Sequence, residues 1–110
     1  MRTVHTDIII DTIKDMCIEA NYVLSNDISS RIISAEKNED NVIGKQILGQ
    51  LVTNMEIAKE DKIPICQDTG MATVFIQLGQ DVHIEGMSLN DAVNEGIRRG
   101  YNEGYLRKSI

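Results

Sequence analysis

The sequence predicts an α+β fold that is mostly helical, with three N-terminal helices, a β-hairpin or small mixed sheet, and a C-terminal helix. Apolar residues recur every three or four positions before about residue 60, alternate over residues 72–78, and return to the helical spacing after Ser88. A length of 110 residues suffices for one hydrophobic core. We therefore expect residues 1–110 to form a single domain.

The three N-terminal helices are predicted from their apolar stripes. They cover residues 6 to about 24, a short stretch around 28–35, and about 41 to about 60. Asp7 and Asp11 lie near the start of the first helix, where the helix dipole favours acidic side chains. The polar residues around Asn26 interrupt the pattern and can cap the second helix.

Two short strands are predicted after these helices. Every second residue of 72–78 is aliphatic, and β-branched and aromatic side chains are frequent there, which is typical of a strand. Residues 79–81 predict a turn, and Val82–Glu85 predicts a second strand. We therefore expect these two strands to pair as a hairpin, with His83 at the surface.

A C-terminal helix is predicted from Ser88 to about Tyr105, because Ser88 and Asp91 have the spacing of a capping box. Glycines recur at every fourth position within it, at Gly96, Gly100 and Gly104. Each glycine destabilises a helix by about 1 kcal/mol relative to alanine, so this stripe indicates that something packs closely against it. We expect another element of the same fold there, with a subunit or ligand contact as the alternative.

The charge and hydropathy of the chain exclude some classes of partner. The formal net charge is −6 and the pI is about 4.8, whereas nucleic acids and anionic membranes attract basic surfaces. The longest aliphatic run is Ile8–Ile10, and the N-terminal residues lack the pattern of a signal peptide. We therefore expect a cytoplasmic protein that binds neither nucleic acid nor membrane, with reduced cysteines.

One stretch gathers most of the reactive groups of the chain. Cys66, Gln67, Asp68 and Thr69 bring a thiol, an amide, a carboxylate and a hydroxyl together in consecutive positions. Pro64 is the only proline, and it favours an extended segment that leads into Cys66. The sequence therefore predicts a tight loop that presents these side chains to one point.

Residue chemistry alone leaves three interpretations of this loop open. Cys66 is a ligand of a metal or iron–sulfur cluster, although Cys17 lies on an apolar helix stripe and offers it no second thiolate. Alternatively, Cys66 is a nucleophile served by His5 or His83 as a base. In the third interpretation Cys66 is buried and structural, and Asp68 caps a turn.

Three segments together resemble a known enzyme family. They are Asn54–Ala58, Pro64–Gly70 and Tyr101–Ser109. In order and approximate spacing they resemble the N-terminal region of the alpha chain of the iron–sulfur class I fumarate hydratases and L-tartrate dehydratases. The resemblance covers essentially the whole chain, and it is specific because separated motifs agree.

The resemblance implies a hydro-lyase in which three cysteines hold a 4Fe-4S cluster with one iron open to a four-carbon dicarboxylate. Cys66 resembles the first cluster ligand, and Gln67 resembles a residue that hydrogen-bonds the substrate. Asp68 resembles the residue that transfers a proton, which makes it the catalytic candidate. Arg107 resembles the arginine that holds a substrate carboxylate.

The resemblance also implies partners. Family alpha chains are longer and supply two further cluster cysteines, so we expect this chain to be the N-terminal part of an alpha subunit. It would act with the rest of that subunit and with a beta subunit or domain, in a homo-oligomer, and would hold no cluster and have no activity alone. The alternative is a stand-alone binding or assembly module in which Cys66 is structural and the glycine-lined helix face pairs with a partner.

Overall fold

The computed structural model describes residues 1–65, 70–106 and 108. These residues form four helices and a small sheet of two strands. This confirms the predicted α+β class, with three helices before a C-terminal one. In chain order the elements are β1 (Arg2–His5), α1 (Thr6–Tyr22), α2 (Asn26–Asn38), α3 (Val42–Asp61), β2 (Val82–Glu85) and α4 (Leu89–Glu103). No helix in the described part of the chain is long and apolar enough to cross a membrane.

The chain divides into two compact units. The first unit contains residues 1–19 and the described residues from 70 onward, and it therefore carries β1, β2, α4 and most of α1. The second unit contains residues 20–65, with the paired helices α2 and α3. The second unit is continuous in sequence, whereas the first is made of two separated segments.

Helix α3 begins and ends with recognisable backbone signals. The Asn41 side chain accepts a hydrogen bond from the Gly44 N–H at 3.0 Å, which satisfies one of the unpaired donors at the helix start. At the other end, Lys62 adopts a left-handed conformation with φ 54° and donates its N–H to the Ala58 carbonyl. The predicted start of this helix at about residue 41 is thus confirmed. The turn at Lys62 directs the chain into the Pro64 segment.

The sheet differs from the hairpin that the sequence predicts. Strand β2 is found at the expected residues, but it pairs in parallel with β1, from Arg2 opposite Val82 to His5 opposite Glu85. Residues 71–78 contain no strand. Phe75 there is 92% exposed, and the aliphatic side chains of this segment are exposed as well. The prediction is wrong because alternation indicates a strand only where a partner is present, and none of the described residues pairs with this segment.

The glycine stripe of α4 packs against α1, within the first unit. A Cβ atom added to Gly96 would lie 2.8 Å from the Ile13 Cβ and 2.9 Å from the Ile10 carbonyl oxygen. At Gly100 the same atom would lie 2.8 Å from the Cys17 Cβ, and at Gly104 it would lie 2.9 Å from the Ile18 Cγ1. These separations are below normal van der Waals contact, so only glycine allows the helices to approach this closely. Packing within the same fold is therefore confirmed.

The start of α4 provides a test of helix capping. The Ser88 hydroxyl accepts a hydrogen bond from the Asp91 N–H at 3.2 Å, whereas Ser25, at the equivalent position of α2, makes no capping hydrogen bond. We expect Ser88→Ala to lower the free energy of unfolding by about 1 kcal/mol and Ser25→Ala by less than about 0.5 kcal/mol. Urea denaturation of both variants measures the difference. Equal effects would contradict the assignment of Ser88 as the cap of α4.

Candidate functional site

The residues that the sequence predicts as functional lie outside the part of the chain that the structure describes. They are Cys66, Gln67, Asp68 and Arg107. Their roles therefore stay predictions. The structure does describe residues that adjoin both motifs, and these define the surroundings of the candidate site.

A cavity of about 300 Å³ lies in the first unit, next to α4. The described residues that line it are Gly70, Ala72, Ile97, Arg98, Tyr101, Asn102 and Lys108. Gly70 follows directly after residues 66–69, and Lys108 follows directly after Arg107. A direct neighbour of Thr69 and a direct neighbour of Arg107 therefore line one cavity. Small-molecule sites commonly have this character, with apolar walls and a few polar groups that converge.

The chain reverses direction at the end of α4, which brings Lys108 back beside the helix. Tyr105 adopts a left-handed conformation with φ 55°, and the Leu106 N–H donates to the Tyr101 carbonyl at 3.0 Å. The Leu106 side chain is then buried. After this turn, Lys108 Nζ donates to the Asn102 Oδ1 at 2.5 Å. The turn thus places the ammonium group at the cavity.

Arg98, which lines the cavity, belongs to a cluster of three charged side chains on α4. Arg98 and Arg99 both donate to the Glu95 carboxylate, with N–O distances of 2.9 Å from the Arg98 Nε and 2.8 Å from the Arg99 Nε. Hydrogen bonds from Arg98 and then Arg99 lower the pKa of Glu95 to about 2, so its carboxylate is ionised at neutral pH. Two cations on one anion leave one positive charge in excess.

Lys108 adds a second positive charge. It forms no ion pair with any carboxylate of the described residues. Arg98 and Lys108 are the charged side chains among the described residues that line the cavity, although the whole chain has a formal net charge of −6. The electrostatics of this cavity therefore favour a small anion.

The cysteine on α1 is not placed to act as a cluster ligand. The Cys17 side chain is half-buried, and its Cβ packs directly over the Gly100 backbone. Burial raises the pKa of the Cys17 thiol, which disfavours the thiolate that a metal requires. This agrees with its prediction as a small apolar residue of the stripe.

Taken alone, the residues of this chain do not fit a complete iron–sulfur site. The sequence contains two cysteines, and one of them, Cys17, packs against α4. Among the described residues, no group of three or more histidine, cysteine, aspartate or glutamate side chains is arranged to hold a metal ion. A cluster bound through Cys66 would therefore need thiolates that this chain does not contain.

The two histidines lie away from the cavity lining. His5 accepts a hydrogen bond at Nδ1 from the Asp7 N–H at 3.1 Å, at the junction of β1 and α1. His83 is exposed on β2, as predicted. Neither is among the described residues that line the cavity. The interpretation of Cys66 as a nucleophile therefore gains no support from the position of either histidine.

Sequence reasoning did not assign a role to Asn102 or Lys108. Both lie in the segment Tyr101–Ser109 that carries the family resemblance, but their spacing of six residues fits no regular helix contact. The contact depends on the left-handed turn at Tyr105. By contrast, the contacts of Glu95 with Arg98 and Arg99 have helical spacing and can be found from sequence.

Comparison with known proteins gives one family and two relatives. The family model described as fumarate hydratase (Fumerase) matches residues 10–110. A protein of Methanocaldococcus jannaschii named L(+)-tartrate dehydratase subunit alpha is 31% identical over 101 residues, which cover 91% of this chain and 35% of that protein. A protein of Geobacillus stearothermophilus named fumarate hydratase class I is 26% identical over 98 residues, covering 88% of this chain and 19% of that protein. The chain thus spans about a third and about a fifth of these relatives.

Proposed function

The chain belongs to the fumarate hydratase (Fumerase) family, and from that premise we propose that it is the N-terminal part of an iron–sulfur hydro-lyase alpha subunit. The complete enzyme would interconvert fumarate and malate by reversible hydration, or dehydrate tartrate. The observation that carries this proposal is the family match over residues 10–110, which includes both predicted motifs. The names of the two relatives support the same reaction class.

We propose for the motif residues the roles that the family resemblance implies, and the chemistry of each side chain suits its role. Arg107 binds a carboxylate of the substrate, because a guanidinium group can donate two parallel hydrogen bonds to it. Gln67 hydrogen-bonds the same dicarboxylate and fixes its orientation. Asp68 exchanges a proton with the water that is added or removed, which is general acid–base catalysis by a carboxylate. Cys66 supplies one cluster thiolate, and cysteines outside this chain supply the others.

The cavity beside α4 supports a dicarboxylate substrate. Its described charged groups, Arg98 and Lys108, are cations, and the substrates of both proposed reactions are dianions at neutral pH. The residues that line it include the direct neighbours of Thr69 and Arg107. A site formed near these neighbours would have the charge that a dicarboxylate requires.

The proposal includes partners. The relative that is 31% identical is named as a subunit alpha, which supports a beta subunit or domain as a partner. We propose that the assembled enzyme is a cytoplasmic homo-oligomer and that this chain alone, with Cys66 as its one candidate cluster ligand, is inactive.

The structure weakens one argument for the alternative, a stand-alone binding module. That interpretation used the glycine-lined face of α4 as the surface that pairs with a partner. Residues of α1, including Ile13 and Ile18, cover this face. The hydro-lyase proposal does not need that surface.

The test compares the two cysteines in the complete enzyme. The chain is produced with its downstream coding sequence and beta partner, the cluster is reconstituted anaerobically, and iron–sulfur absorbance, fumarate hydration and tartrate dehydration are measured. We expect Cys66→Ala to abolish both absorbance and activity, because a cluster ligand is lost. Cys17→Ala is the matched control and should retain both. A Cys66→Ala protein that keeps its cluster, or a wild-type protein that binds no iron, would overturn the proposal.

A further inference from the structure

The contact between Lys108 and Asn102 leaves hydrogen-bond donors available at the cavity. The ammonium group of Lys108 has three N–H donors and no acceptor, and one of these donors is used by the Asn102 Oδ1 at 2.5 Å. Because an ammonium can only donate, it fixes the oxygen of the Asn102 amide toward itself. The Nδ2 donors of Asn102 form no hydrogen bond with any described residue.

The arrangement matches the needs of one carboxylate group. A carboxylate has two oxygens that accept hydrogen bonds. Here Lys108 provides an ammonium group and Asn102 an amide NH2 group, and the two residues are in contact and line the cavity. No carboxylate of the described residues neutralises Lys108. The guanidinium of Arg98 is engaged by Glu95, so Lys108 is the lining cation that remains for a ligand.

We propose that Lys108 and Asn102 form a carboxylate-binding pair, with one ligand oxygen accepting from the Lys108 Nζ and the other from the Asn102 Nδ2. The ligand class is a small carboxylate anion. On the basis of the proposed function, this anion is the dicarboxylate substrate, and the pair binds one of its two carboxylates.

The test titrates succinate, an unreactive four-carbon dicarboxylate, into the isotope-labelled 110-residue chain and follows backbone amides by NMR. Potassium chloride at matched ionic strength controls for screening of charge. We expect saturable shifts at Ile97, Tyr101 and Asn102, with a dissociation constant in the millimolar range. Lys108→Met should weaken succinate binding on the order of tenfold, because a charged hydrogen bond is lost.

Two further variants make the test specific. Asn102→Asp places a carboxylate beside Lys108, and it should abolish binding by neutralising the ammonium and repelling the ligand. Lys45→Met removes the same charge from an exposed position of α3 and should bind succinate like the wild-type chain. A dispersed spectrum without ligand verifies that each variant is folded.

The outcomes separate this inference from the proposed function. Absence of succinate shifts in the wild-type chain, or equal affinity in the wild-type and Lys108→Met chains, would overturn the carboxylate-binding pair even if the complete enzyme hydrates fumarate. Binding that is weakened in Lys108→Met, abolished in Asn102→Asp and unchanged in Lys45→Met would support the pair even if the complete enzyme lacks hydro-lyase activity. In that case the cavity is a carboxylate site with a different use.

Discussion

Replacement of Gly96 by alanine is expected to lower the free energy of unfolding by about 2 kcal/mol, although alanine is the better helix former. The added methyl group would lie 2.8 Å from the Ile13 Cβ and 2.9 Å from the Ile10 carbonyl oxygen. Both atoms are attached to or part of the α1 backbone, so a side-chain rotation cannot relieve the overlap. Helices α1 and α4 would have to separate, and the buried Ile10 would lose packing.

The matched control is the same substitution at Gly49, in the interior of α3. The nearest atom to a Cβ added there is the Glu36 Cδ at 4.0 Å, which is an ordinary contact with a flexible side chain. We expect Gly49→Ala to raise the free energy of unfolding by about 0.5–1 kcal/mol, because alanine reduces the entropy of the unfolded chain. Urea denaturation followed by circular dichroism measures both variants. A stabilising effect of Gly96→Ala would refute the close approach of the two helices.

The second large effect is expected on catalysis. In the complete enzyme, Asp68→Asn should lower kcat by about 10²–10⁴-fold, because an amide of the same shape cannot transfer the proton. The KM for fumarate or tartrate should change little, because the proposed role of Asp68 lies in the chemical step rather than in binding. The iron–sulfur absorbance should stay at the wild-type level, since Cys66 is retained.

Asp11→Asn is the control for this substitution. Asp11 is exposed on α1, and it does not line the cavity. The same change from carboxylate to amide there should leave kcat and KM at their wild-type values. If Asp68→Asn instead raised KM with kcat unchanged, Asp68 would be a binding residue, and another group would have to transfer the proton.

The helices could be predicted because their signals are local. The apolar period, the cap at Ser88 and the polar start after Asn41 all lie within the residues that form each helix. The glycine stripe on α4 also predicted a close partner within the fold. It did not identify which element packs there, because α1 precedes it by about eighty residues and no sequence pattern links the two.

The sheet could not be predicted because its pairing is non-local. β1 has four residues and no turn to connect it to β2, since parallel strands need a long crossover. Residues 72–78 have the alternation of a strand, but alternation does not specify a partner. At the candidate site, the contact of Lys108 with Asn102 depends on the left-handed conformation of Tyr105. A tyrosine rarely adopts this conformation, so the sequence does not predict the turn.

The parallel pairing of β1 with β2 also constrains the order in which the protein can fold during synthesis. Residues 20–65 contain the whole second unit, so α2 and α3 can pair while the ribosome is still translating the rest of the chain. Residues 2–5 leave the ribosome before them, but their partner strand begins only at Val82. Such distant contacts form slowly. Strand β1 is thus made well before its partner and pairs late, and until then the backbone N–H and C=O groups that bond to β2 lack that partner.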